Sequence, residues 1–198
     1  MISPSFTRSC LAPICLLLLL SLSNCGHKPA NPSEISQISA SNFKGSLTNI
    51  DTNLTRILID KSDYQLYLFE NDCLLRTYPV VLGLDPVTDK MFEGDGCTPE
   101  GKFKVRTKYA HAKWSKFIWV DYQTAESWEK FKTRKAAGMI AQYRTIGGEI
   151  GIHGVPECLD SLIDRHINWT LGCISLKRAD VDELYGAIRT GTDIEIRP

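Results

Sequence analysis

The segments Ile152-His153-Gly154 and Thr170-Leu171-Gly172-Cys173-Ile174-Ser175-Leu176, with sixteen residues between His153 and Thr170, decide how this chain is read. Each is a short β-forming run with a reactive side chain at one end. Glu149 to His153 predicts one strand, Gly172 to Leu176 another, and the two strand ends can meet. The pair combines an imidazole base with a thiol nucleophile. A thiol of pKa about 8.5 is only about 3% thiolate at pH 7, and an imidazole that lowers it to around 6 makes it mostly thiolate. That gain is worth about 2 kcal/mol, so the site must also stabilise an oxyanion. Gly172 suits this because it lets the backbone N–H groups of Leu171, Gly172 and Cys173 converge without side-chain obstruction.

Outward from this pair the chain is rich in strands. Thr55–Asp60 and Tyr64–Phe69 are β-branched and aromatic runs joined by a polar Lys61-Ser62-Asp63, a hairpin signal. A third strand from Cys73 to Leu82 makes a meander, and strands at Lys102–Lys108 and Phe117–Tyr122 follow the long loop 83–101, which reads as a surface turn. Residues 124–137 are helical in composition, with Gly138 as a stop and with Trp128 and Phe131 three apart on one face, expected in the core. Val181, Leu184, Tyr185 and Ile188 mark one face of a second helix, and Thr192–Arg197 alternates as a closing strand. The expectation is a mainly β domain with packed helices.

The N-terminus reads as an address. Arg8 precedes an apolar run from Leu11 to Leu22 that is shorter than the roughly 18 to 20 residues needed to span a bilayer, so residues 1–24 are expected to be a signal peptide. Leu22-Ser23-Asn24-Cys25 resembles a bacterial lipoprotein signal, with Cys25 as the candidate lipidated residue and a membrane anchor if it is modified. Residues 25–53, rich in Ser, Asn and Pro, read as a flexible tether, and residues 54–198 as one domain. Such a protein is exported, to the periplasm or the cell envelope.

Twenty-three basic and twenty-three acidic residues leave no net field to attract nucleic acid, which is not an expected partner. Of seven cysteines, Cys73, Cys97, Cys158 and Cys173 belong to the domain. A disulfide among the first three, Cys97 with Cys158 foremost, stays open because connectivity cannot be read from sequence. His153, Cys158, His166 and Cys173 are zinc-type donors, but their spacing matches no short zinc motif; no metal or cofactor is expected, and His166 reads as a loop histidine.

The domain resembles the L,D-transpeptidase catalytic domain, the YkuD type, in its ErfK/YafK-like branch. The resemblance rests on Gly94-Asp-Gly-Cys-Thr-Pro-Glu-Gly101, Ile146-Gly-Gly-Glu-Ile-Gly-Ile-His-Gly154, Thr170-Leu-Gly-Cys-Ile174 and Ala179-Asp-Val-Asp-Glu-Leu184. The family pattern is His, fourteen to seventeen residues, Ser or Thr, any residue, then Gly-Cys. The resemblance implies a mixed β-sandwich, and a Cys173 that attacks a peptidoglycan stem peptide at the carbonyl of its L-centred diamino acid residue. A terminal D-residue leaves and a thioester remains. His153 is then the base, Gly154 orients its imidazole through the backbone carbonyl, and Thr170 braces the nucleophile loop through its hydroxyl. An amine acceptor gives a cross-link in cell-wall remodelling. The alternatives are a hydrolase of the same family, a carboxypeptidase or an amidase releasing a peptidoglycan-linked protein, and a non-catalytic peptidoglycan-binding lipoprotein. Many family members carry Arg, able to engage a substrate carboxylate, where this chain has Ser175; Arg144, Arg165 and Arg178 are the candidates to replace it.

Overall fold

The computed structural model describes residues 47–198, so the signal peptide, Cys25 and most of the tether lie outside the described residues. Leu47 and Ile50, at the end of the stretch read as tether, are half-buried against the core. Eight strands follow: β1 (Thr55–Asp60), β2 (Gln65–Glu70), β3 (Cys73–Pro79), β4 (Gly101–His111), β5 (Ser115–Val120), β6 (Gly151–Gly154), β7 (Ile174–Leu176) and β8 (Asp193–Arg197). Three helices join them, α1 (Ala125–Ala136), the single turn α2 (Ser161–Asp164) and α3 (Arg178–Ala187). Among the described residues no helix is long and apolar enough to cross a membrane.

The strands form one sheet in the order β3-β2-β1-β8-β4-β5-β6-β7. It is mixed: β8 runs parallel to β1, and β7 parallel to β6, while the other pairs are antiparallel. The two layers expected of a sandwich are two halves of this one sheet. Strand β4 belongs to both, pairing with β8 through Gly101–Lys104 and with β5 through Val105–His111. A register shift between Val105 and Thr107 lets it bend from one half into the other. The roll closes where the chain, just past β3, brings Val81 against Ser175 of β7, with reciprocal N–H···O bonds of 2.9 and 2.8 Å. Eight strands curled in this way are nearly a barrel, and one core fills them, including Ile57, Ile59, Leu68, Ile118, Ile152, Ile174 and Ile196. The closing strand alternates as read, with Ile194 and Ile196 inward.

Helix α1 starts where Thr124 caps it: its Oγ1 accepts the Ser127 N–H (3.2 Å), and Ser127 Oγ accepts the Thr124 N–H (3.3 Å). Gly138, at φ +74, ends it. Of its two aromatics only Phe131 enters the core; Trp128 is 40% exposed, because a thin helix lying at the rim of the sheet buries one narrow stripe.

The loop 83–101 is not a surface turn. Lys61, 2% exposed, reaches into it, its Nζ donating to Glu100 Oε1 (2.6 Å) and to the carbonyls of Thr88 (3.1 Å), Val87 (3.2 Å) and Thr98 (3.5 Å). Lys90 and Asp95 form a second buried pair at 2.9 Å, with Asp95 also accepting the N–H groups of Met91, Phe92 and Cys97. Arg134 of α1 ties the loop down through Asp89 (2.6 Å) and the Lys90 carbonyl (2.9 Å). Opposite charges far apart in sequence meet here, which no local pattern announces. All four cysteines of the domain are free thiols.

Removing one partner of a buried ion pair strands the other. Lys61→Ala is expected to cost about 3–5 kcal/mol, read as a fall in the urea midpoint at unchanged slope; a loss below about 1 kcal/mol would show that the loop is held by other means.

Candidate active site

Strands β6 and β7 are four and three residues long, and their parallel register sets Ile152 opposite Ile174 and His153 opposite Ser175. Ile152 and Ile174 point into the core. His153, Cys173 and Ser175 therefore share the opposite face, since side chains alternate along a strand. Cys173 lies one residue before β7, beside Gly151.

Glycines make the approach feasible. At Gly172, φ is +134, and a Cβ there would sit 2.7 Å from the Cys97 carbonyl oxygen. The loop around Cys97 thus lies directly under the nucleophile turn. At Gly154 a Cβ would meet the Trp114 carbonyl oxygen at 2.6 Å and Val181 of α3 at 3.0 Å. Thr170 Oγ1 donates to the Cys173 carbonyl (2.6 Å) and accepts the Gly172 N–H (3.2 Å), so it staples both sides of the turn. The Gly172 N–H, one of the three amides expected to converge on an oxyanion, is therefore taken. The Leu171 side chain itself is 72% exposed.

His153 is 2% exposed. Its Nδ1 lies 2.9 Å from the Gly154 carbonyl, which can only accept, so Nδ1 carries the proton and Nε2 is the free base. Trp114 stacks on the ring at 4.4 Å, Phe117 lies near-parallel at 5.6 Å, and Trp169 meets it edge-on at 5.5 Å. Neither tryptophan stands out in the sequence, Trp114 sitting in the β4–β5 turn and Trp169 just ahead of Thr170. Both indole N–H groups and the Ser175 hydroxyl are buried without a partner among the described residues, three unspent polar atoms on residues around one imidazole. Ser175 is completely buried, so this position offers no cation to a substrate. Arg178 donates to the carbonyls of Lys113 (3.1 Å) and Val155 (3.3 Å), and His166 stacks on Tyr64 at 5.0 Å.

Cys173 is half-buried and donates its S–H to the Glu149 carbonyl at 3.4 Å. Among the described residues no hydrogen bond joins its sulfur to His153. Glu149 holds φ +58, an uncomfortable geometry for a residue with a Cβ, and this turns its carbonyl onto the thiol. Two clefts meet at Gln123, Gly148 and Glu149, one of about 590 Å³ bordered by Trp128, Lys135 and Arg144, the other of about 700 Å³ bordered by Arg106, Trp119 and Asp121.

Burial pushes the Cys173 thiol up to about 11, against a smaller lowering by the Gly151 amide, and pushes His153 down to about 4. This corrects the expectation of an imidazole-activated thiolate. Burial disfavours the charged form of each group, so it favours a neutral thiol near a neutral imidazole.

The family model for the L,D-transpeptidase catalytic domain matches residues 54–196. No curated protein sequence matches. Among solved structures, Bd1075 of Bdellovibrio bacteriovorus is 20% identical over 73% of this chain and 48% of its own, at a TM-score of 0.50. The K307A mutant of the helical cell shape determining protein Pgp2 from Campylobacter jejuni is 21% identical over 82% of this chain and 52% of its own, also at 0.50. An L,D-transpeptidase from Mycobacterium smegmatis is 14% identical over 73% and 59%, at 0.49. This chain thus spans about half to three-fifths of these proteins, and the likeness is one of fold.

A histidine neutral in the fold but free to protonate when unfolded leaves stability intact above pH 6.5 and erodes it as pH falls toward 4, by about 3 kcal/mol in all. The difference in urea stability between wild type and His153→Gln should show that loss. Iodoacetamide labelling of Cys173, followed by peptide mass, should rise about tenfold per pH unit from 7 to 9; a plateau near neutrality would mean a preformed thiolate.

Proposed function

The chain belongs to the L,D-transpeptidase catalytic-domain family, and on that premise we propose that it is a peptidoglycan L,D-transpeptidase working through a thioester on Cys173. The observation that carries this is the β6–β7 register, which puts Cys173 and His153 on one face, with Glu149, whose carbonyl accepts the Cys173 S–H, bordering two open clefts. In the first half-reaction Sγ bonds to the stem-peptide carbonyl carbon while the thiol proton passes to His153 Nε2. The C–N bond then breaks, and that proton leaves with the terminal D-amino acid as its amine. In the second, an acceptor amine attacks the thioester, its proton passes to His153, and the thiolate leaves and is reprotonated.

Every other feature of the site has a part in this cycle. The Gly154 carbonyl holds the imidazole with Nε2 outward. The Trp114 and Phe117 faces stabilise the imidazolium while it exists, a cation–π gain of about 0.5–2 kcal/mol per ring that partly offsets desolvation. Thr170 fixes the turn so that the Leu171 and Cys173 amides can meet the oxyanion, the interaction whose loss typically costs about 3–4 kcal/mol of barrier. We further propose that residues 1–24 direct export and that Cys25 is lipidated, which sets the site outside the inner membrane, within reach of the wall.

Incubated with tetrapeptide muropeptides, the protein is expected to yield cross-linked dimers and a Cys173-linked acyl mass, and Cys173→Ala neither. Trimmed monomers alone would make water the acceptor and the protein a hydrolase; equal activity of Cys173→Ala would end the thioester proposal.

A further inference from the structure

A stem peptide carries α-carboxylates at D-centres, both on its terminal residue and at the far end of its diamino acid. A site that selects such a peptide needs a cation for one of them, within reach of the nucleophile. The fully buried Ser175 supplies none. Arg178 is engaged by two backbone carbonyls, and Arg134 by Asp89 and the Lys90 carbonyl.

Resting on the function proposed above, we propose that Arg144 binds a D-centred α-carboxylate of the stem peptide in the cleft between α1 and the segment 138–149. That cleft, of about 590 Å³, is bordered by Glu149, whose carbonyl accepts the Cys173 S–H, so one of its walls is in contact with the thiol. The Arg144 guanidinium stacks over Phe92 at 4.7 Å and near Tyr143 at 5.3 Å, and no carboxylate is paired with it among the described residues. A guanidinium held against aromatic rings and unpaired with a carboxylate can offer its N–H groups to a ligand, and a carboxylate is the group it grips best, with two parallel bonds. Lys135 acts as a positioning residue: its Nζ donates to the Arg144 carbonyl at 2.9 Å and pins the segment to α1. Trp128, exposed on α1, and Phe131 offer the apolar wall for the aliphatic part of the peptide. Glu93 brings a negative charge to the same cleft, which suits the ammonium beside the carboxylate at the free end of a diamino acid.

Arg106 is the competitor, bordering the neighbouring cleft together with Asp121. The test measures binding, so it stands apart from turnover. Full-length Cys173→Ala protein is titrated calorimetrically with a tetrapeptide and with its two mono-amides, one blocked at the terminal residue and one at the diamino acid. The free acid should bind at least tenfold more tightly than one of the amides. Adding Arg144→Gln should weaken the free acid by the same factor, leave that amide unchanged and leave the melting temperature in place, while Arg144→Lys should restore part of the loss. The amide that loses affinity identifies which carboxylate is held. Equal binding of all three peptides, no binding of any, or a tenfold loss in Arg106→Gln with none in Arg144→Gln would each overturn the assignment. If binding follows Arg144 while wild type forms no acyl-enzyme, the subsite stands and the thioester reading falls.

Discussion

Two backbone hydrogen bonds between Val81 and Ser175 close the rolled sheet, and the arrangement of the site depends on them. Strand β7 has three residues, too few to hold a register alone. It is fixed because β6 flanks it on one side and Val81 on the other, and because the turn ahead of it rests on the Cys97 carbonyl through the bare Cα of Gly172. A one-residue slip would move Cys173 to the core face and Ile174 to the face of His153. The buried isoleucines at 152 and 174 oppose that slip, so core packing and the position of the thiol are one constraint.

The loop 83–101 extends the same constraint outward. Its two buried ion pairs, Lys61 with Glu100 and Lys90 with Asp95, make a polar interior under the nucleophile turn. Such pairs are weak sources of stability compared with apolar packing, but breaking one is costly, so they penalise any alternative path of the loop. Backbone amides on Asp95 and carbonyls on Lys61 complete the coordination. The Gly94–Gly101 segment is better described as a pedestal for Gly172 than as a turn.

Electrostatics at the site follow from dryness. Aromatic rings surround His153, and both members of the Cys–His pair are pushed toward neutrality. A proton taken up by the imidazole would be met by π faces instead of water.

Much of this was legible in local pattern. The hairpin, the capped helix, the alternating last strand and the His–Cys spacing with its glycines are short-range signals, and backbone propensity and side-chain alternation suffice to read them. From them follow the strands, the family likeness and the two residues on which the chemistry is proposed to turn. What needed the tertiary structure was everything set by contacts between distant segments. The insertion of β8 between β1 and β4, the buried lysines, the tryptophans around His153, the burial of Ser175 and the exposure of Trp128 and Arg144 are of this kind. Sequence determined which residues are present and which local shapes they favour; only the fold decided how much water each one keeps. Burial moved the thiol and the imidazole away from the charged pair that their side-chain chemistry alone suggests, because the free energy of a charge depends on its surroundings more than on its identity.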